Sequence, residues 1–230
     1  MPQSGEDEEE DGKTEMKKAV EEIDFQGDLG ALRRLTEEGR TTLQYQIESL
    51  NDIDSKAISI LRVNVLLIGL LLTAASFVAD SQFNLSALDN FAFYVGVFSL
   101  LLSSALATLT YTASDTEVGI ESGKINEVIE SDLTEEEFEL AAAQSHSRWI
   151  WFNNKTNVIN APLITLTNIF LIVGLSHLGL GVYIALDGSY SLVMAVGTWI
   201  LLLIFIAASN ILNQINTVRE EIDVSEWRPW

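Results

Sequence analysis

Four long apolar stretches, separated by polar segments, set the pattern of this chain. They cover about residues 57–78, 91–112, 163–186 and 191–212. An α-helix needs roughly 20 apolar residues to cross a bilayer, and these stretches contain no Asp, Glu or Lys, with Arg62 as their only formal charge. Four such runs in one soluble domain would leave too few partners to cover them. The pattern predicts an all-α membrane protein with four transmembrane helices.

The residues before the first apolar stretch are spaced as in an amphipathic helix. Apolar side chains recur there at steps of three and four residues and form one stripe: Leu43, Ile47, Leu50, Ile53, Ala57 and Leu61. This spacing is typical of a helix that packs against a partner, as in a coiled coil. Gly39 predicts an interruption. We expect segment 27–56 to be a helical extension of the first span.

The segment 113–160, between the second and third stretches, shows two further helical patterns. Its first half carries an apolar stripe made of Val118, Ile125, Val128 and Ile129. In its second half, Thr134 followed by Glu137 is the capping-box signature of a helix start. Pro162 suits the first turn of the third span. We expect a cytoplasmic helical hairpin over 113–160, between a first pair of spans over 57–112 and a second pair over 161–212.

Both ends of the chain are polar. Residues 1–26 include the acidic run from Glu6 to Asp11, a composition that predicts a disordered acidic tail. The C-terminal tail, 213–230, ends in Trp-Arg-Pro-Trp. These tryptophans indicate either anchoring at a membrane interface or contact with a partner protein.

Lys and Arg are confined to segments that would lie on one side of the membrane. All 13 fall in the N-terminal region up to Arg62, in the central segment or in the C-terminal tail, and the connections 80–90 and 187–190 have none. The positive-inside rule then predicts a multi-pass protein of the plasma membrane with both termini cytoplasmic. Because the chain opens on an acidic run, we expect the first span to act as its own insertion signal.

The charge balance changes the picture of the environment. The chain has 33 Asp+Glu against 13 Lys+Arg, a formal charge of −20, and only Asp80, Asp89 and Asp187 would lie outside, which leaves 33 − 3 = 30 carboxylates on the cytoplasmic side. At about 1 M salt the screening length falls to roughly 3 Å, and repulsion from anionic headgroups fades. We expect a halophilic archaeon as the host, with an acidic mesophilic protein as the alternative.

Several kinds of chemistry are excluded by composition. The chain has no Cys and only two His, His146 and His177, so a disulfide framework, a thiolate nucleophile and a histidine-rich metal centre are not expected. The acidic balance disfavours a nucleic-acid partner. We find no catalytic constellation and expect no enzyme activity, no cofactor and no metal. His146 is expected to be a surface residue of an acidic helix.

One face of the first span is small and polar. Arg62 and Asp80 are eighteen positions apart, which is five helical turns or about 27 Å. Leu66, Gly69, Thr73 and Ser76 lie between them on the same face. The face could line a pore in an oligomer, where a ring of Asp80 would favour cations and Arg62 would sit at the inner mouth. It could equally be a packing seam, since Gly69-x-x-x-Thr73 lets helix backbones approach closely.

The second and third spans carry similar stripes of small residues. In the second span the stripe is Gly96, Ser99, Ser103, Ala107 and Thr110, and in the third it is Thr167, Gly174, His177 and Gly181. Such stripes are typical of close-packed helices in a membrane. His177 is open to two interpretations: a proton sensor near neutral pH, or a neutral histidine bonded to a Ser or Thr hydroxyl.

The entry into the first span carries a family resemblance. The sequence Ile53-Asp54-Ser55-Lys56-Ala57, followed by Ile-Ser-Ile-Leu-Arg62-Val-Asn64 and preceded by the amphipathic segment 43–51, resembles the small helical membrane effectors of prokaryotic nucleotide-signalled defence systems. The resemblance covers about 30 residues and implies oligomerisation followed by membrane permeabilisation. Four spans and the lack of a recognisable nucleotide-binding domain depart from that family. By topology alone, the layout is also similar to Orai-type calcium channels.

These features lead to one functional hypothesis and one principal alternative. We expect a homo-oligomeric ion channel or pore-forming protein, cation-conducting, whose path is lined by the first span. Its partners would be membrane lipid, further copies of the chain and inorganic cations. The alternative is a non-conducting membrane scaffold or sensor that recruits a partner through its cytoplasmic helices. A secondary transporter is a third hypothesis, although no broken helix or midplane acidic site is evident.

Overall fold

The structure is a computed structural model, and it describes residues 27–79, 85–114, 116, 118–119, 133–187 and 191–223. The elements within them are α1 (Leu29–Ala79), a 3-10 helix (Leu85–Leu88), α2 (Phe91–Thr112), α3 (Glu135–Asp187), α4 (Leu192–Ala208) and α5 (Ile211–Asp223). All regular structure in these ranges is helical, which confirms the all-α class. The predicted acidic tail, the first helix of the central hairpin, Asp80 and the final tryptophans lie outside the described residues.

Helix α1 runs without a break through 51 residues, so the predicted interruption at Gly39 is wrong. A glycine inside a helix costs only about 1 kcal/mol relative to alanine, and a contact with another helix can offset that cost. At this position a Cβ atom would stand 3.2 Å from the Cβ of His146 on α3. Gly39 is therefore the point where α3 comes close to α1, and the helix continues through it.

Helix α3 is also longer than the sequence predicts. It extends over 53 residues with Pro162 inside it, so the prediction that Pro162 begins a new helix is wrong. Proline removes one backbone N–H, a loss that helices in a membrane tolerate when neighbouring groups satisfy the freed carbonyl. The start of α3 is as predicted: the Thr134 N–H donates to Glu137 Oε2 at 2.7 Å, and the Glu137 N–H donates to Thr134 Oγ1 at 3.3 Å.

The fourth apolar stretch does not form one straight helix up to residue 212. Helix α4 ends at Ala208, and Asn210 adopts a left-handed backbone conformation with φ of 56°. Asparagine is one of the few residues that take this conformation readily just beyond a helix end. The chain then bends by 41° into α5. The local side-chain chemistry of Asn210 thus ends the helix inside a run that hydropathy alone reads as continuous.

Three helices of the described chain, α1, α2 and α3, are long and apolar enough to cross a membrane. The count rises to four if α4 and α5 are taken together as one bent span. These statements rest on helix length and composition.

The chain divides into two compact units. Unit 1 comprises Met1–Glu48 and Thr116–Asn154, and unit 2 comprises Ser49–Asp115 and Lys155–Trp230. In the described part of unit 1, the early part of α1 meets the early part of α3: Gln46 Nε2 donates to the Ile150 carbonyl at 3.1 Å, and Arg33 pairs with Glu135. The buried apolar side chains of this unit include Leu32, Leu43 and Ala141.

Unit 2 holds the apolar helices. Its core cluster joins α1 to α3 through Ile53, Ala57, Ile60 and Ile164, with Leu171 packed against them. These residues of α1 continue the stripe that the sequence predicts on the helix extension. Helix α2 packs along α3 through the small residues described next.

Candidate functional site

The small and polar face of α1 is exposed in the single chain. Arg62, Leu66, Gly69, Thr73 and Ser76 are all exposed, Leu66 to 73%. A Cβ atom built on Gly69 would meet nothing within 4 Å. The described residues therefore place no helix of the same chain against this face, and Asp80 lies outside them. Whatever covers the face comes from outside the described chain.

The hydroxyl groups of this face are bonded to their own helix. Thr73 Oγ1 donates to the Gly69 carbonyl and Ser76 Oγ to the Leu72 carbonyl, each at 2.9 Å. A hydroxyl has one hydrogen and two acceptor lone pairs. With the hydrogen occupied by the backbone, each oxygen can only accept from, or coordinate, whatever approaches the face. Arg62, near the start of the apolar part, makes no ion pair with the described residues.

The small-residue stripes of α2 and α3 behave differently, because they are buried against each other. The buried members are Gly96, Ser99, Ser103, Ala107 and Thr110 on α2, and Thr167, Gly174, His177 and Gly181 on α3. A Cβ atom at Gly96 would lie 2.7 Å from the Leu178 nitrogen, and one at Gly181 would lie 2.7 Å from the Phe93 nitrogen. Backbone approach this close needs glycine. The prediction of close packing for these two stripes is confirmed.

A buried polar network joins the three helices inside this packing. Asn64 Nδ2 on α1 donates to Ser103 Oγ on α2 at 2.9 Å, and Ser103 Oγ donates to the Thr167 carbonyl on α3 at 2.9 Å. All three residues are fully buried. The side-chain oxygen of Asn64, Oδ1, has no hydrogen-bond partner among the described residues. The network lies opposite the exposed face of α1 and fixes the register of α1 against α2 and α3.

A second network joins the same helices ten residues earlier on α1. Ser114 Oγ contacts Asp54 Oδ1 and lies 3.1 Å from the Thr110 carbonyl, and Asn160 Nδ2 donates to Ser114 Oγ at 3.0 Å. Asp54 is partly buried and Asn160 is fully buried. This network sits where the apolar parts of α1 and α3 begin and α2 ends.

Sequence reasoning missed both networks, although one signal was present. Asn64 is the one Asn in the first apolar stretch, and Asn160 lies three residues before the start of the third. An amide inside an apolar helix needs a hydrogen-bond partner, so each Asn indicated a buried contact. The partners are Ser103 on α2 and Ser114 just beyond the end of α2, and they cannot be deduced from spacing along the chain.

His177 is buried in α3, but its bond differs from the one expected. Its Nδ1 lies 2.9 Å from the Val173 carbonyl, and its ring stands edge-on to Trp199 with centroids 5.5 Å apart. Within the described residues, the recorded partner is this backbone carbonyl and not the Ser or Thr hydroxyl that we expected. A carbonyl only accepts, so Nδ1 carries the proton in this contact. Proton sensing by His177 stays a prediction.

His146 is not the free surface residue that the sequence suggested. It is partly buried between the helices of unit 1, its ring 5.5 Å from that of Trp149. Burial lowers the pKa of His146 below its ordinary value, and the positive charge of Arg40 lowers it further. A hydrogen bond that the His146 ring donates to the backbone of Thr36 and the negative charge of Glu139 both raise the pKa and oppose these effects.

Among the described residues, no group of three or more His, Cys, Asp or Glu side chains could hold a metal ion. No family model, curated protein or solved structure matches the chain.

Proposed function

We propose that the chain is a four-span protein of the plasma membrane. In this proposal α1, α2 and α3 each cross the bilayer with their apolar parts, and α4 with the start of α5 forms the fourth span. The distribution of Lys and Arg supports cytoplasmic termini and a cytoplasmic central segment. The early parts of α1 and α3 are then cytoplasmic extensions of the spans.

Within the membrane, we propose a homo-oligomeric cation channel whose path is lined by α1. The observation that carries this proposal is the exposure of the face formed by Arg62, Leu66, Gly69, Thr73 and Ser76. The comparable stripes of α2 and α3 are already used for packing within the chain. A face that combines an arginine with outward hydroxyl oxygens is poorly suited to lipid. If copies of α1 surrounded a common axis, this face would contact water and cations instead of lipid.

The surroundings of this face support contact between copies. Val65, Leu70 and Leu72 on the same part of α1 are 60 to 66% exposed, so α1 is accessible from several sides. The small side chains at Gly69 and Thr73 allow helices to approach. The hydroxyl oxygens act as acceptors, which favours cations over anions along the path. The resemblance to oligomerising membrane effectors points the same way.

The test combines subunit count with conductance. Protein purified in detergent should form a closed ring of four or more copies with α1 at the axis, and should conduct cations in planar bilayers. Thr73→Val removes a hydroxyl from the path and should lower unitary conductance about twofold or more. Thr108→Val is the matched control, because Thr108 on α2 is equally exposed and bonds its own helix in the same way.

Asp80→Asn should weaken selectivity for cations. A monomer, or a dimer without an axial cavity, would overturn the channel proposal. So would equal effects of Thr73→Val and Thr108→Val on the current.

A non-conducting scaffold is the second candidate, and one observation favours it. Unit 1 exposes large apolar side chains, among them Leu35, Tyr45 and Phe138, which are 60%, 68% and 40% exposed. Exposed apolar groups outside a membrane indicate a contact surface. A scaffold would bind a partner through these residues without a ring or a current, and Tyr45→Ser would then abolish partner recruitment while subunit count stayed unchanged.

A further inference from the structure

The acceptor groups around Ser114 form a cluster at the boundary between the polar and apolar parts of unit 2. Ser114 follows Ala113, the C-cap residue of α2, and it contacts Asp54 of α1 and Asn160 of α3. The Asn160 amide donates a hydrogen bond to the Ser114 oxygen. The Ser114 hydroxyl in turn donates to Asp54 or to the Thr110 carbonyl. The one hydroxyl hydrogen can serve only one of these acceptors at a time.

The side chain of Asn160, whose Nδ2 contacts Ser114, has a buried oxygen without a partner. Asn160 has no exposed surface, and its Oδ1 accepts no hydrogen bond from the described residues. A buried carbonyl oxygen left in this state is destabilising, and native structures usually pair one with a protein group, a water or an ion. The site therefore calls for an occupant that is either a hydrogen-bond donor or a cation.

A second observation selects a cation. The carboxylate of Asp54 is partly buried and pairs with no cationic side chain among the described residues. The nearby Lys56 is bonded instead to Asp52 at 2.5 Å. A partly buried charge is stabilised by a counter-charge. A water molecule would satisfy the Asn160 oxygen but would leave the Asp54 charge uncompensated.

The end of α2 adds to the negative potential. The last carbonyls of a helix carry a partial negative charge, and the Thr110 carbonyl lies in the cluster through its contact with Ser114. We propose that Asp54, Ser114 and Asn160 bind a monovalent alkali cation, Na⁺ or K⁺, within each chain. A single carboxylate among neutral oxygens matches one positive charge, whereas calcium sites usually gather several carboxylates. The site lies inside one chain and is independent of any pore.

Thermal stability of the purified full-length chain tests the site directly. The unfolding midpoint would be measured in an uncharged detergent with NaCl, KCl or choline chloride at equal ionic strength. Choline provides the same screening but is too large for the cluster. The wild-type Tm should be higher in an alkali salt than in choline by about 3 °C or more, and the difference should saturate with concentration.

Asp54→Asn should remove this difference between salts. Asp52→Asn is the matched control: it removes the same charge two residues away, from a side chain that is 62% exposed, and should keep the difference. If Asp54→Asn does not fold, Asn160→Leu is measured in its place. Loss of the buried oxygen should raise the alkali-salt concentration that gives half of the Tm increase at least fivefold. Equal Tm values for the wild type in all three salts would overturn the proposal. The occupant beside the Asn160 oxygen would then be an ordered water and not a cation. An alkali effect of wild-type size in Asp54→Asn, or in Asn160→Leu where that variant is used, would also overturn the proposal.

Discussion

Single glycines decide which faces of these helices can be buried. Gly181 and Gly179 are two residues apart on α3, yet a Cβ atom at Gly181 would lie 2.7 to 2.9 Å from Phe93, and one at Gly179 would meet nothing within 4 Å. The two positions therefore form a natural pair in which the same substitution has opposite consequences. The Phe93 contacts include backbone atoms, which cannot move aside without shifting α2.

Gly181→Ala should destabilise the protein by about 1–3 kcal/mol, the usual cost of overpacking. Gly179→Ala should be neutral or stabilising by up to about 1 kcal/mol, because alanine favours the helix. Thermal unfolding in detergent measures both, with an expected fall in Tm of about 2–4 °C per kcal/mol for Gly181→Ala. Equal Tm values for the two variants would mean that α2 and α3 do not pack closely at this point.

The lowered pKa of His146 predicts that the stability of unit 1 depends on pH. Burial and Arg40 lower its pKa in the folded state, so the unfolded state binds the proton more readily. The stability that this group contributes is complete above its ordinary pKa of 6.5 and is lost as the pH falls through the lowered value. Unit 1 should therefore open more often at pH 5.5 than at pH 7.5.

Hydrogen exchange of segments 29–48 and 133–154 measures this opening as a protection factor, corrected for the intrinsic pH dependence of exchange. We expect a fall of about threefold or less, since solvent screens a group that is only partly buried. His146→Gln should remove the dependence between pH 7.5 and 5.5. If the variant shows the same fall as the wild type, another group titrates in this range and His146 is not the sensor.

At the scale of whole elements, hydropathy predicted where the apolar helices lie. The second stretch, 91–112, coincides with α2, and the first and third end within a residue of α1 and α3. The length of an apolar stretch is a reliable signal, because a segment in lipid can pair its backbone N–H and C=O groups only within its own helix. The helix start at Thr134 was predictable for a similar reason, since the capping box is a local bond between two residues.

The breaks between elements were harder to predict. Gly39 and Pro162 look like helix ends, and both lie inside continuous helices. Their local cost is at most a few kcal/mol, which contacts from other helices can outweigh. Asn210, by contrast, ends α4 without interrupting the hydropathy pattern. The exposed face of α1 was predictable from 3.6-residue periodicity, whereas the partners of Asn64 and Asn160 depend on which helices meet.

At the scale of the whole molecule, charge and apolar surface are segregated. Helix α4 buries only Ala195 and Leu202, and much of the rest of its surface is exposed and apolar, as a lipid-facing helix requires. The formal charge of −20 falls almost entirely outside the apolar stretches. The polar face of α1 is the exception to this division, and the proposed channel depends on what covers it.

The lack of native cysteine makes this environment accessible to thiol chemistry. In a water-filled path, Thr73→Cys should react with a charged, membrane-impermeant methanethiosulfonate reagent, and the modification should reduce the current. Leu201→Cys on α4 is the matched control for a membrane-buried position, because Leu201 is 59% exposed but would face lipid, where a thiol does not form the reactive thiolate. Tyr45→Cys, in the polar part of α1, should react fully and verifies the reagent.

The pattern of reactivity separates the two interpretations of the α1 face. A pore makes Thr73→Cys at least tenfold more reactive than Leu201→Cys, because water reaches only the first thiol. A packing seam between two copies makes both thiols unreactive, and mild oxidation then links the copies through Thr73→Cys, since a disulfide requires Cα atoms within about 7 Å. That second outcome would contradict conduction along α1. It would direct attention to the apolar surface of unit 1 and to a role in recruiting a partner.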